Sequence, residues 1–272
     1  MGRAGVERGE SVTSVRGVLR PEGAAGRFTL ARQNSGQDLA PFVDYYWIVR
    51  WDLRGEPPHE QSILPHPCVH LAFEADGPAI YGIDTKIFTR RLTGQGKVLG
   101  VRFRPGCFHP FSPRPISRLN DTVVPAASLL GRGVASANEA VMAADADEEM
   151  ISVADGLLRE IRPSRDRVAE QVAAIAERIT TDLGLRRVGD LTAAFGLTER
   201  KLQRLFSEYV GVSPKWVMRR ARLHEAALRA NSGEAVDWAI LARDLGYADQ
   251  SHLTRDFTAT IGTPPARYTA PA

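Results

Sequence analysis

At 272 residues the chain is long enough for two domains of ~100–200 residues, each able to bury its own core. A hydrophobic fraction of 43% and a charged fraction of 25% are ordinary for a globular protein, no apolar run approaches the ~18 residues of a membrane span, and the opening MGRAGVERGE lacks an apolar signal region. These features argue against a membrane or exported protein, and two cysteines, Cys68 and Cys107, are too few for a disulfide framework and fit a reducing cytoplasm.

Up to about residue 125 the chain is rich in glycine, proline and short alternating runs. WIVRW (47–51), CVHLAFEA (68–75) and VLGVRFR (98–104) predict half-buried strands, separated by Gly55, Pro57, Pro58, Gly77, Pro78, Gly94 and Gly96. The pattern predicts a small antiparallel sheet or barrel. PGCFHPFSPRP (105–115) is too proline-rich for regular helix or central strand. His66, Cys68 and His70 share one face of an alternating strand and, with His109, are candidate metal ligands. HPCVH has no paired carboxylate, however, and ordinary buried or surface histidines are the default. Core packing is the expected use of Tyr45, Tyr46, Trp47 and Trp51, with an apolar ligand pocket as the alternative. Cys68 and Cys107 have nothing beside them in sequence to lower a thiol pKa, which favours inert buried cysteine over a redox pair.

From 126 to 163 the texture turns helical and acidic. Met142, Met150, Ile151, Leu157, Leu158 and Ile161 recur at roughly helical spacing around Asp145, Asp147, Glu148 and Glu149, and Pro163 marks the end. A connecting helix packed on the first domain is expected, with dimer contacts as a further use.

After Pro163 the chain reads as helical and contains a duplication. Leu202, Arg204, Phe206, Gly211 and Pro214 recur as Leu253, Arg255, Phe257, Gly262 and Pro265, all at an offset of 51 residues, and Gly196 recurs as Gly246 at 50. Each copy predicts a helix, a glycine turn, a second helix and a Gly-x-x-Pro stop. In the first, Val188, Leu191 and Phe195 precede Gly196. Thr198 caps the next helix, whose inner face is Leu202, Leu205, Phe206 and Tyr209 and whose outer face is Arg200, Gln203, Arg204 and Ser207. In the second, Trp238, Leu241 and Leu245 precede Gly246-Tyr247. Leu253, Phe257 and Ile261 then face inward, while Gln250, Ser251, Thr254 and Arg255 face outward beside His252. A short helix, tight turn and second helix with a polar, cationic outer face describes a helix-turn-helix, whose second helix enters the major groove. Arg and Gln are the side chains that read guanine and adenine edges bidentately.

Between the copies, PKWVMRRARLHEAALRA (214–230) predicts one continuous helix started by Pro214, with Arg219, Arg220 and Arg222 near its middle and Leu223 or His224 on its apolar side. Such a helix rises ~24 Å, a spacer suited to holding two recognition helices near the ~34 Å between successive major grooves. Charge follows the same division. Residues 186–229 hold ten basic residues against four acids, a net of +6, whereas 230–272 hold three against five, a net of −2. The positive block suits contact with phosphates.

TERKLQRLF with GVSP, RARL in the linker, and LGYADQSHLTRDF with GTPPARY together resemble the DNA-binding domain of the AraC family of transcriptional regulators, over residues ~170–268. The resemblance implies an α+β chain: residues 1–125 a β-rich, cupin-like sensor or dimerisation domain, 126–163 a helical connector, and 164–272 the DNA-binding domain with two helix-turn-helix units. It also implies that Arg200, Gln203, Arg204, Gln250, Ser251, Thr254 and Arg255 contact bases or adjacent phosphates. Its expected partners are double-stranded DNA, a small-molecule effector in the first domain, a second copy of the chain, and RNA polymerase if the protein activates. VRFRPGCFHPF and LNDTVVPAASLLG resemble an uncharacterised domain fused to such DNA-binding domains. Neither a cofactor, a resident metal nor catalysis is expected. The alternative is a cupin-type, metal-dependent enzyme domain fused to a DNA-binding tail. A DNA-repair fusion would need clustered zinc-binding cysteines that the chain lacks. Two departures from the family pattern, Thr269 after Tyr268 and Trp238 in place of a smaller aliphatic residue, join the net −2 to predict weaker anchoring by the second unit.

Overall fold

The computed structural model describes residues 16–182, 184–232 and 234–269, so the opening segment read for export signals lies outside the described residues. The alternating runs become strands β1 (Thr29–Asn34), β2 (Val43–Leu53), β3 (His59–Ile63), β4 (His70–Phe73), β5 (Ala79–Tyr81), β6 (Phe88–Leu92), β7 (Gly94–Phe103) and β8 (Val123–Pro125). An antiparallel sheet runs in the order β1-β2-β7-β4-β5-β8, and β3 pairs with β6 as a second, two-stranded sheet.

One face of the large sheet packs against helices, and the strands alternate between buried and half-buried residues as expected. Tyr46 and Ile48 of β2, Leu71 and Phe73 of β4, and Leu99, Val101 and Phe103 of β7 join one apolar cluster with residues of the helices that follow. Those helices are α1 (Ala127–Leu130), α2 (Gly133–Ala143) and α3 (Asp147–Ile161), three elements rather than one connector. The buried amide of Asn138 on α2 exchanges two 3.0 Å bonds with the backbone of Glu74, just beyond β4. The Tyr46 hydroxyl donates to Asp155 on α3. Asp147, Glu148 and Glu149 occupy the first turn of α3, where the helix dipole favours acids, and Arg50 of β2 reaches Asp147 at 2.7 Å. Between the large and small sheets the opposite faces of the strands enclose a cavity.

The rest of the chain is α4 (Arg167–Thr181), α5 (Val188–Phe195), α6 (Glu199–Leu205), α7 (Pro214–Ala230), α8 (Trp238–Asp244), α9 (Gln250–Ile261) and α10 (Pro265–Tyr268). α6 continues as a π-helical turn over Phe206–Val210. The duplication has a local cause at each end. Gly196 (φ 61°) and Gly246 (φ 72°) turn the chain in left-handed conformations, and Gly211 (φ 96°) and Gly262 (φ 84°) stop the second helices likewise. Thr198 caps α6 by accepting from the Lys201 amide, and Asp249 caps α9 by accepting from that of His252. Phe206 and Phe257, equivalent by the 51-residue offset, are both fully buried.

The two parts do not keep separate cores. The cluster of the large sheet continues through Phe108, Ile116 and Leu119 to Val172 and Ile175 of α4, Leu202 of α6 and Val217 of α7. A second cluster joins Leu19 and Leu64 to α7, α8 and α9. The expectation of two independent cores fails because the linker helix α7 is buried on the side facing the sheets as well as against both repeats. No helix among the described residues is long and apolar enough to cross a membrane.

Candidate nucleic-acid interface and ligand cavity

The expected base-contacting residues fall into two sets, one on each second helix of the repeats. On α6, Leu202 and Leu205 are buried, while Arg200, Gln203 and Arg204 are exposed. Gln203 is steadied by a 3.2 Å bond from Nε2 to Glu199 Oε1. On α9, Leu253 and Phe257 are buried, Gln250, Ser251 and Arg255 are exposed, and Thr254 is half-buried. His252 is exposed and meets the Tyr247 ring edge-on at 5.1 Å. Trp238 is accommodated by a T-shaped contact with Phe257 at 5.9 Å.

The linker arginines are a correction to the charge reading. Arg220 is only 4% exposed, donates from Nη2 to the Thr85 carbonyl at 2.8 Å, and lies 4.4 Å from the centre of the Trp216 ring. Burial, with Arg219 nearby, lowers its pKa to about 10. Arg219 pairs with Asp256 of α9 at 2.9 Å, and Arg222 donates to the carbonyls of Leu185 and Arg186 ahead of α5. Arg219 and Arg222 thus tie α7 to the two repeats, and Arg220 ties it to the first part of the chain.

The cavity holds about 220 Å³ between the sheets. Tyr45, Trp47, Val49 and Trp51 line it from successive odd positions of β2, Tyr46 packs in the core as expected, and Trp51 also packs against the small cluster of Ala24, Phe28, Leu53 and Leu92. The two indoles lie across β7 because their cross-strand partners are Gly100 and Gly96, where any Cβ would collide with the rings. Trp47 Nε1 donates to His70 Nδ1 and Trp51 Nε1 to the Thr93 carbonyl, each at 3.1 Å. Arg102 of β7 also lines the cavity. Its Nη1 donates to the Tyr45 hydroxyl at 2.7 Å, its Nε lies 3.3 Å from Cys68 Sγ, and Asp44 approaches at 3.2 Å. Burial raises the Cys68 thiol pKa, and that of Cys107 to about 11, so neither is a thiolate near neutral pH.

The histidines separate. His66 and His70 line the cavity, while His109 lies 3.2 Å from Glu208 and against the Tyr209 ring, where the first part meets the π-helical turn. Among the described residues no group of three or more His, Cys, Asp or Glu side chains is placed to hold a metal ion. The neighbour of His66 is His224 of α7, stacked at 3.9 Å between ring centres with 14° between planes. His66 Nε2 lies 3.3 Å from the Arg16 carbonyl and His224 Nε2 lies 3.2 Å from that of Pro65. Sequence reasoning left His224 as one option on an apolar helix side and did not single out Arg102. The available signal for Arg102 was a cation on the same strand parity as Val98 and Gly100.

This stack gives the protein an acid sensitivity of known sign. Burial lowers the His224 pKa to about 3 and also lowers that of His66, with Arg16, Arg102 and Arg220 adding positive charge around the pair. An unfolded histidine takes its proton near pH 6.5. The unfolded chain therefore binds more protons as pH falls from about 6.5 toward 3, and stability is lost in that window. We expect a loss on the order of 1 kcal/mol per pH unit from His224 alone. Calorimetric melting between pH 7 and 5.5 should show the decline, and His224→Leu should flatten it; an unchanged slope in the variant rejects His224 as its source.

Residues 34–125 match a domain of unknown function (DUF6597), and residues 191–270 match a family described as a helix-turn-helix domain. No curated protein matches the chain. Solved structures of ToxT from Vibrio cholerae are similar at low identity. A 1.65 Å structure is 10% identical, covers 89% of this chain and 97% of its own, and has a TM-score of 0.42. The unsaturated fatty acid bound wild-type protein of strain SCE256 is 13% identical, covers 93% and 92%, and has a TM-score of 0.39. A β-rich part followed by a tandem helix-turn-helix unit defines a DNA-binding transcriptional regulator. The C-terminal residues 191–270 thus form a helix-turn-helix domain of the AraC type.

Proposed function

We propose that the protein is an effector-responsive regulator in which α6 and α9 enter successive major grooves and the occupant of the cavity sets the posture of α7 between them. In this reading residues 1–125 sense, 126–163 brace the sensor, and 164–272 bind DNA. Arg200, Gln203 and Arg204 read the first groove, and Gln250, Ser251, Thr254 and Arg255 the second. Such a regulator acts in the cytoplasm. The observation that carries the reading is the stacked pair His66–His224, because one ring belongs to the cavity wall and the other to the helix joining the two repeats. A ligand that displaces His66 thereby acts on α7 directly, and its preference for one posture is the coupling free energy.

Selection from a random duplex pool with the full chain at ~150 mM salt, where nonspecific phosphate binding is weakened, should enrich two short blocks about one helical turn apart. No enrichment would refute the paired-groove reading. Ala72 lines the cavity, so Ala72→Phe mimics an occupant. It should change affinity for the selected site several-fold in the parent chain and leave it unchanged in a His224→Leu background. An equal change in both backgrounds would reject the histidine stack as the route. No change in either would reject control by the cavity.

A further inference from the structure

The charges around the cavity narrow its occupant, on the reading that the occupant is an effector. The arginines that line it are all held. Arg16 pairs with Glu225 at 2.7 Å, Arg90 with Glu74, and Arg102 with Asp44 at 3.2 Å while donating to the Tyr45 hydroxyl. Arg32, its guanidinium carbon 4.8 Å from the centre of the Tyr45 ring, has a partner as well. Glu74 also accepts from the Tyr81 hydroxyl. Asp84 differs from all of these. It lines the cavity half-buried, and among the described residues no group bonds to or pairs with its carboxylate. Its charged neighbour has the same sign: Asp121, which accepts from the Thr85 amide at 2.8 Å and the Thr85 hydroxyl at 2.7 Å. Burial, with Asp121 beside it, raises the Asp84 pKa above that of an ordinary aspartate. The walls favour the same kind of visitor. Tyr81 and Phe88, on either side of Asp84 in the chain, both line the cavity and meet edge to face at 6.0 Å. Trp47 adds a third ring, its N–H already bonded to His70. Aromatic faces attract an organic cation and cover its apolar body.

We propose that the cavity takes a hydrophobic organic amine, its ammonium group meeting Asp84 beside Tyr81 and Phe88 and its apolar body lying toward Trp47. A carboxylate partly removed from water and repelled by a neighbour is stabilised most by an entering cation that also donates hydrogen bonds. An anion would have to draw an arginine away from the partner it already has. A neutral ligand would leave Asp84 unpaired. The position also gives the ammonium group a route to the linker helix. Thr85, the next residue, accepts from Arg220 of α7 at 2.8 Å, so a ligand that draws Asp84 inward acts on the same helix as the histidine stack.

The test titrates the full chain calorimetrically, near neutral pH, with 2-naphthylmethylamine, uncharged 2-naphthylmethanol and 2-naphthoate. Each is also added to the binding assay with the selected duplex. The amine should bind at least tenfold tighter than the alcohol and tighter than the acid. Asp84→Asn keeps the shape and removes the charge, so it should bring the amine down to the affinity of the alcohol. If that variant does not fold, Asp84→Ala is read in the same way. In the parent chain the advantage of amine over alcohol should also shrink as pH falls and Asp84 takes up a proton. No binding of the amine, equal binding of amine and alcohol, tighter binding of the acid, or an amine advantage that survives loss of the Asp84 charge would overturn the proposal. Amine binding that depends on Asp84 but leaves duplex affinity unchanged would leave the ligand class standing and reject the effector reading on which it rests.

Discussion

Arg204→Ala should lower affinity for the selected duplex at least tenfold, and by more than Arg255→Ala. The two arginines are equivalent by the 51-residue offset and both are exposed, so burial does not distinguish them. Their surroundings do. Arg204 shares α6 with Arg200 and Lys201, whose charges draw the same phosphates and help seat the helix. Arg255 lies among Asp244, Asp249 and Asp256 in the half of net −2, and its Nε points back to the Ser251 carbonyl at 3.4 Å. A bidentate contact from arginine to a base is worth ~1–3 kcal/mol, or roughly tenfold to over a hundredfold in affinity. The first unit should realise more of that range because its helix is held closer by its own field. Fluorescence anisotropy at one fixed salt concentration measures both variants. Equal losses would sink the asymmetry, and a larger loss for Arg255 would reverse it.

The same equivalence separates the two stop glycines. Gly211 and Gly262 both adopt left-handed backbone, so alanine at either is expected to cost about 1 kcal/mol in conformation. Around Gly262 nothing lies within 4 Å of the added methyl. At Gly211 the methyl would sit 2.7 Å from Asn120 Oδ1 and 3.1 Å from Ile116 Cγ2. Asn120 cannot simply swing aside, because its Nδ2 donates to the Gly211 carbonyl at 2.7 Å. Relieving the clash breaks that bond and parts the end of the π-helical turn after α6 from the first part of the chain. Adding overpacking of ~1–3 kcal/mol, Gly211→Ala should destabilise by about 3 kcal/mol and Gly262→Ala by about 1 kcal/mol. Urea unfolding of the two variants checks this. If both lose the same amount, the seam between the first part of the chain and the first repeat contributes nothing at that point.

The tandem unit was legible because its determinants are local. A capping Thr198, a turn glycine and a buried Phe206 each act within a few residues, and their recurrence at one offset makes coincidence a poor account. The cavity was not legible for the opposite reason. Alternation in WIVRW says that two faces differ, but a strand with core on one side and a chamber on the other reads the same as a strand with core on one side and water on the other. The tryptophans were therefore assigned to packing, and the meaning of Gly96 and Gly100 emerges only once β2 and β7 are paired. The linker arginines failed similarly. A charge count includes Arg220 whether it faces a phosphate or the Thr85 carbonyl, and only the docking of α7 decides which. His66 and His224, far apart in the chain, meet through that same docking.

The odd and even positions of β2 carry two separate histories. Substitution at Tyr46 or Ile48 acts on the wall shared with α2 and α3, and with it on whether the protein folds. A change at Trp47 resculpts the chamber while the packing of Tyr46 and Ile48 next door keeps its shape. Interleaved residue by residue, the scaffold and its chemical preference remain independently adjustable. Under the proposed function, changes confined to the chamber would alter the small molecule recognised and leave the tandem unit that handles DNA as it is.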